Sequence, residues 1–209
     1  MRSTVFRFDS STSNFTHRES AGQHEYEFDI PILDAFAVEH FQVQFLLDNG
    51  RLCIGKSTLR NRCLTIEGPA LARMAEYEIT LTVHFHGIRD YSLLFPWVSE
   101  AKLRSRLGDF YREADAAFDS ASWLSFSLMC GALFEGILYA RTNTNDSFSN
   151  LIATAESSGD IDSDTAQIMH KVRGYRNLVH ANRYNTAFVT RADAMDTRTV
   201  LDRLLRDAR

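Results

Sequence analysis

Cysteine, proline, tryptophan and glycine are all sparse in this 209-residue chain, with three, three, two and ten of each. Cys53, Cys63 and Cys130 are odd in number and far apart, which excludes a disulfide framework and fits a reducing compartment. So few prolines and glycines exclude a collagen-like or linker-like chain. Neither sign of charge dominates: 23 basic and 27 acidic residues leave a net charge of −4, so the chain is no basic nucleic-acid coat and any polyanion site must be local. There is no low-complexity tract and no internal repeat. The first residues, MRSTVFRFDSS, lack the apolar run of a secretory signal, so a cytoplasmic location is expected. Long hydrophobic runs are also scarce. The exception, residues 121–140 (ASWLSFSLMCGALFEGILYA), carries Glu135 mid-segment with three serines and two glycines, which makes membrane insertion expensive. It reads as the buried central helix of a bundle, and no membrane association is expected.

What is present is enough apolar material for a core, 44% of residues, in two contrasting patterns. Before a boundary near Pro96 to Ser99, short runs such as HEYEFDI, FQVQFLL, CLTIE and EYEITLTVHFHG alternate or are rich in β-branched and aromatic residues, and read as strands. Asp48-Asn49-Gly50, Gly68-Pro69 and His86-Gly87 are turn signals, and GPALARMAE has room for a turn or two of helix. After Ser99 the periodicity is helical. A first helix capped by Ser99 is expected to break or bend at Gly108; the 121–140 helix and a short helix after Asp146-Ser147, ended by Ser158-Gly159, follow. A further helix runs from a cap at Asp162 or Ser163 to about Ala181, and Thr190 with Asp193 caps the last one. The expected class is α+β: a β-sandwich or small barrel over 1–98, then an all-helical bundle over 99–209.

Charge is uneven within the helical half: residues 99–170 balance to −6, whereas 171–209 balance to +5. The basic end contains HKVRGYRNLVHANRY, residues 170–184. At about 100° per residue, Ile168, Val172, Tyr175 and Val179 share one helical stripe, and Arg173, Arg176, Asn177 and His180 another about 120° away. The first is expected in the core. The second gathers two guanidiniums, an amide and an imidazole on one face. Guanidinium forks bind phosphate and neutralise charge that builds up in a transition state. An imidazole can deprotonate a ribose 2′-hydroxyl or protonate a leaving 5′-oxygen without a metal. A solvated Arg face with a His near a helix C-terminus has the same spacing.

The stretch VRGYRNLVHANRY resembles the signature helix of the HEPN superfamily, in which an Arg, four to six residues and a His are read together and a polar residue commonly follows the Arg. Arg173, six residues and His180 fit that spacing; Arg176 with Asn177 fits the Arg-polar pairing but stands three residues short of His180, so the principal Arg stays open. The long apolar helix with an embedded Glu (ALFEGILY), the short helix and the SGDID turn that precede it also look like this family, over about residues 105–207. The resemblance implies a helical bundle, commonly dimeric through its signature helices. It also implies metal-independent endoribonuclease activity, leaving 2′,3′-cyclic phosphate ends, in antiviral defence or toxin–antitoxin settings. The expected site is then Arg173, Arg176 and His180 as catalytic residues, Lys171, Asn177, Arg183 and Tyr184 as RNA contacts, and Glu135 as structural support paired with Arg173 or Arg176. No metal and no cofactor are expected. The expected partners are RNA, a second copy through the helical domain, and an antitoxin or defence-system protein on the β domain. Toxin-type members often place a Tyr two residues after the His; here Asn182 stands there and Tyr184 lies four after. Since many relatives have lost catalysis, an inactive dimerisation or partner-docking module is the alternative.

Two other signals carry less. Residues 50–57, GRLCIGKS, match the phosphate-loop pattern with Lys56 and Ser57, a weaker alternative as a nucleotide site, but the flanking sequence reads as strands rather than strand and helix. His84 and His86 share a strand face as metal ligands can, with no third ligand at diagnostic spacing.

Overall fold

The computed structural model describes residues 2–9, 15–20, 23–46, 52–53, 56–68 and 78–206. The protein is α+β and divides into two compact units, Met1–Leu93 and Leu94–Arg209. The division falls a few residues ahead of the boundary read from the sequence, because Leu94, Phe95 and Val98 are buried and belong to the helical unit. Phe95 meets Tyr111 edge-on, and Arg104 donates to the Val98 carbonyl oxygen at 3.3 Å.

In the first unit β1 (Arg2–Asp9), β8 (Glu78–Ile88), β4 (Phe36–Leu46) and β5 (Leu52–Cys53) form one antiparallel sheet in that order. β2 (Phe15–Ser20), β3 (Gln23–Asp29), β7 (Cys63–Gly68) and β6 (Lys56–Arg60) form the other. Two separate sheets make this a sandwich rather than a closed barrel. The period of two places Phe6, Val43, Ile79, Leu81, Val83 and Phe85 on the buried face of the first sheet, and Tyr26, Phe28, Leu64 and Ile66 on that of the second. Arg60 pairs with Cys63 across a tight β6–β7 turn in which Asn61 takes φ 54°, a left-handed conformation asparagine tolerates. His86-Gly87 is not a turn: β8 runs unbroken to Ile88, since its ladder with β4 continues to a Phe36–Ile88 pair. The expected signals at 48–50 and at 69–76 lie outside the described residues, as does Pro69 of the Gly68-Pro69 turn.

The second unit is a bundle of α1 (Ala101–Asp119), α2 (Trp123–Thr142), α3 (Phe148–Ser158), α4 (Ser163–Tyr175) and α5 (Arg191–Arg206). α1 is capped by the Glu100 side chain, which accepts from the Lys102 amide, rather than by Ser99. It continues through Gly108, which is buried inside it. Among the described residues α2 is long and apolar enough to cross a membrane by length and composition; here its Phe126, Cys130, Leu133, Phe134, Ile137 and Leu138 are fully buried in the bundle. Gly136 lets α1 lie close: a Cβ there would fall 2.6 Å from Leu107 Cδ2. Ser147, Asp162 and the Thr190–Asp193 pair cap α3, α4 and α5, and Gly159 ends α3 at φ 79°.

The helix from Asp162 stops at Tyr175, six residues short of the expected end at Ala181. Its core stripe is Thr165, Ala166, Met169, Val172 and Tyr175; Ile168 is half-buried, and Val179, expected in the core, is 56% exposed. Beyond Tyr175 the chain tightens into 3-10 turns at Arg176–Val179 and Ala181–Arg183, joined by His180 in an extended conformation (φ −85°, ψ 129°). Gly174 weakens the last α-helical turn, and the i to i+3 bonds from the His180 amide to Asn177 O (3.3 Å) and from the Arg183 amide to His180 O (2.9 Å) take over.

Candidate functional site

The basic segment is placed by α4 and α5. Tyr175 anchors the end of α4 in the core, and Val189, 4% exposed, buries the chain again just before α5. Residues 176–188 between these anchors stand away from the core: all are exposed except Leu178, which is half-buried. Because the α-helix has ended, Arg173, Arg176, Asn177 and His180 are not one helical stripe. Arg173 leaves the last turn of α4, Arg176 and Asn177 lie in the first 3-10 turn, and His180 sits on the extended link.

Electrostatics separate the candidates. Arg176 Nη1 lies 3.7 Å from Glu135 Oε2 of α2, which places the expected carboxylate beside this segment; Arg173 is not its partner. Glu135 is 37% exposed, so the pair is a solvated one although it stands on an apolar helix. Lys171 is turned to another purpose: its ammonium bonds Asp193 Oδ1, tying α4 to the start of α5. That bond, with those from Thr190, holds the Asp193 carboxyl down at about 2 and raises the Lys171 pKa. Lys171 thus joins α4 to α5, and the Thr-x-x-Asp capping signal at 190–193 was the clue to its partner.

Arg173, His180 and Arg183 make no side-chain hydrogen bond or ion pair among the described residues. Arg112, Arg198 and Arg203 of the same unit each engage a carboxylate, and Arg141 and Arg104 a backbone carbonyl. The segment also carries apolar side chains in the open: Val179 at 56%, Tyr184 at 83% and Phe188 at 61% exposure. Val179 and Phe188 had no sequence signal as surface residues, since an isolated apolar side chain reads as core.

No protein family, curated protein or solved structure matches this chain. The site is a projecting basic segment with an imidazole that has no side-chain partner among the described residues, one nearby carboxylate, and exposed aromatics.

The phosphate-loop pattern is not built as one where it is described. Lys56 and Ser57 begin β6, antiparallel to β7, and Lys56 Nζ lies 2.8 Å from Glu67 Oε2 of the neighbouring strand. A phosphate loop opens a helix there instead. Gly50, Arg51, Ile54 and Gly55 lie outside the described residues. In the metal pair weighed from sequence, His84 stacks on His40 with ring centroids 4.2 Å apart, and His86 Nε2 lies 3.4 Å from Glu39 Oε2, so the two imidazoles have separate partners.

Proposed function

We propose that the helical unit is a metal-independent endoribonuclease acting through the 173–184 segment. The carrying observation is that Arg173, His180 and Arg183 project from one short stretch with no protein partner among the described residues, although neighbouring arginines of the unit have one. In this reading Arg173 and Arg176 hold the scissile phosphate by charge-assisted hydrogen bonds and offset the charge of the pentacoordinate transition state. His180 removes the proton of the 2′-hydroxyl or donates one to the departing 5′-oxygen. The products are a 2′,3′-cyclic phosphate and a 5′-hydroxyl. Lys171, bound to Asp193, adds only long-range charge, while Asn177, Arg183 and Tyr184 are placed to touch the strand on either side. One His180 performs one proton transfer at a time, so a symmetric homodimer through this face supplies the second.

A second reading has its own support. Exposed Val179, Tyr184 and Phe188 suit a protein interface, which favours a catalytically inactive dimerisation or docking module. We place the protein in a defence or toxin setting on the resemblance of its signature segment, with the β unit as the recognition part for an antitoxin or defence partner. The deciding experiment is RNA cleavage by purified protein in EDTA. Activity lost in His180→Ala supports the nuclease; dimerisation without cleavage supports the module.

A further inference from the structure

The second sheet of the β unit ends in a polar cavity of about 530 Å³ lined by Asp29, Asp34, Arg60, Asn61, Arg62 and Cys63. Strand register builds its floor. Cys63 of β7 pairs with Arg60 of β6 on one side and with Asp29 of β3 on the other, so the three residues form one row across the sheet. Leu64 and Ile66 are fully buried in the core, and the period of two therefore puts Cys63 and its row on the outer face. Cys63 is half-buried there. One wall is fixed: Arg62 Nε lies 2.7 Å from Asp29 Oδ1, and Arg62 Nη2 donates to Asp29 Oδ2 at 3.0 Å, a two-pronged grip. The Ile30 amide donates to the Arg62 carbonyl oxygen at 2.8 Å, which ties the end of β3 to the β6–β7 turn.

The lining carries two charges of each sign, and only Asp29 and Arg62 neutralise each other. Arg60 and Asp34 are exposed, and their side chains make no hydrogen bond or ion pair among the described residues, with each other or with any other group. They come to the cavity from different strands. Arg60 lies on β6, Asp34 lies on the 3-10 turn Pro31–Ala35 that follows β3, and β7 runs between β6 and β3. Neighbouring strands stand about 4.7–4.9 Å apart, so β6 and β3 are about 9–10 Å apart, too far for direct pairing but spanned by a small molecule between them. A single ion would satisfy one of these groups and leave the other. A molecule with a carboxylate at one end and an ammonium at the other satisfies both, the carboxylate on the guanidinium fork and the ammonium on the aspartate. The lining charges sum to zero, which suits a ligand whose own charges cancel. The volume falls within the range of about 300–1,000 Å³ usual for small-molecule sites.

We propose that this cavity binds a small zwitterion of the amino-acid or short-peptide class, with its carboxylate on Arg60, its ammonium on Asp34 and its body over Cys63. The site lies in the β unit and is independent of the nuclease reading. Full-length protein is titrated in saturation-transfer NMR with L-alanine and with L-alanyl-L-alanine, each also as its N-acetyl form and its C-terminal amide. Saturable binding of a free form is expected, the tighter of the two fixing the ligand's length, and each capped form of it should bind about tenfold more weakly or worse. Arg60→Gln should erase the preference for the free form over its amide and keep the preference over the N-acetyl form; Asp34→Asn should do the reverse. Each comparison is made within one variant, so a general loss of stability cannot imitate it. In the unaltered protein, the tighter free form should slow iodoacetamide alkylation of Cys63, read by peptide mass mapping; this arm needs no variant to fold. Absence of saturable binding, equal binding of free and capped forms, preferences unchanged in both variants, or alkylation of Cys63 at an undiminished rate overturns the site.

Discussion

Lys171 of α4 and Asp193 of α5 form a clamp at the root of the projecting segment, in which the Asp193 carboxylate takes the Lys171 ammonium and also the amide and hydroxyl of Thr190. One carboxylate thus caps α5, joins two helices and closes the chain on either side of residues 176–188.

The Asp193 carboxyl is depressed to about 2 from 3.8, first by its bond to Lys171 and then by those from Thr190. A group with a lowered folded-state pKa contributes stability that is fully present above its unfolded value and is lost as pH falls through the folded one. Urea midpoints should therefore hold above about pH 5 and decline between about pH 4 and 2. Asp193→Asn should lower stability by about 0.5–2 kcal/mol at pH 7 and flatten that acid limb.

Arg198 of α5 is held between the rings of Tyr111 and Phe118, at 5.6 and 5.4 Å, and pairs with Asp115 at 3.0 Å and Asp202 at 3.2 Å. Asp115 is 4% exposed. Removing it should leave a largely buried guanidinium short of charge, so Asp115→Ala should cost about 3–5 kcal/mol in chemical denaturation. The double variant with Arg198→Met should recover most of the loss.

The Glu135–Arg176 pair is solvated, so Glu135→Ala should change stability by less than about 1 kcal/mol. Removing the carboxylate beside Arg176 should instead strengthen RNA binding severalfold at low salt, measured by fluorescence anisotropy with a 2′-O-methyl oligonucleotide. A large loss of stability with unchanged affinity would return Glu135 to a structural role.

For the proposed nuclease, His180→Ala should lower the cleavage rate by about 10²–10⁴ with an unchanged circular dichroism spectrum. DNA and 2′-O-methyl RNA should resist, since they lack the nucleophile. Arg173→Ala and Arg176→Ala should weaken affinity and rate together, and the larger loss identifies the principal Arg. Cleavage unaffected by His180→Ala would remove the mechanism.

Exposed Tyr184 and Phe188 should lie in the homodimer face if the dimer forms as proposed. Light scattering of Tyr184→Glu and Phe188→Glu, each a charge placed in that apolar contact, should show monomers where the unaltered protein is dimeric. Dimers that persist in both would move the interface elsewhere.

The division into a strand-rich half and a helical half was legible in the sequence because period-two and period-3.6 patterns need only neighbours along the chain. The caps at Ser147, Asp162 and Thr190–Asp193 were legible for the same reason: a side chain closing on an amide three residues on is local chemistry. The end of α4 was not. A helical wheel drawn through Gly174 assumes that the helix continues, and only the descent of Tyr175 into the core and the return of the chain at Val189 decide that residues 176–188 project as turns. Glu135 could be matched to an arginine from sequence, but whether the pair is buried depends on how deeply α2 sits beside that segment. Lys171, expected as an RNA contact, is ion-paired with Asp193, 22 positions on, a partner set by the packing of α4 against α5. The cavity at Cys63 depends on the register of β7 on β6 and β3, which sets Arg60, Cys63 and Asp29 in one row. The residues determine which local structures form and which chemistry is available; only packing between distant segments decides which charges are neutralised and which are left to meet a ligand.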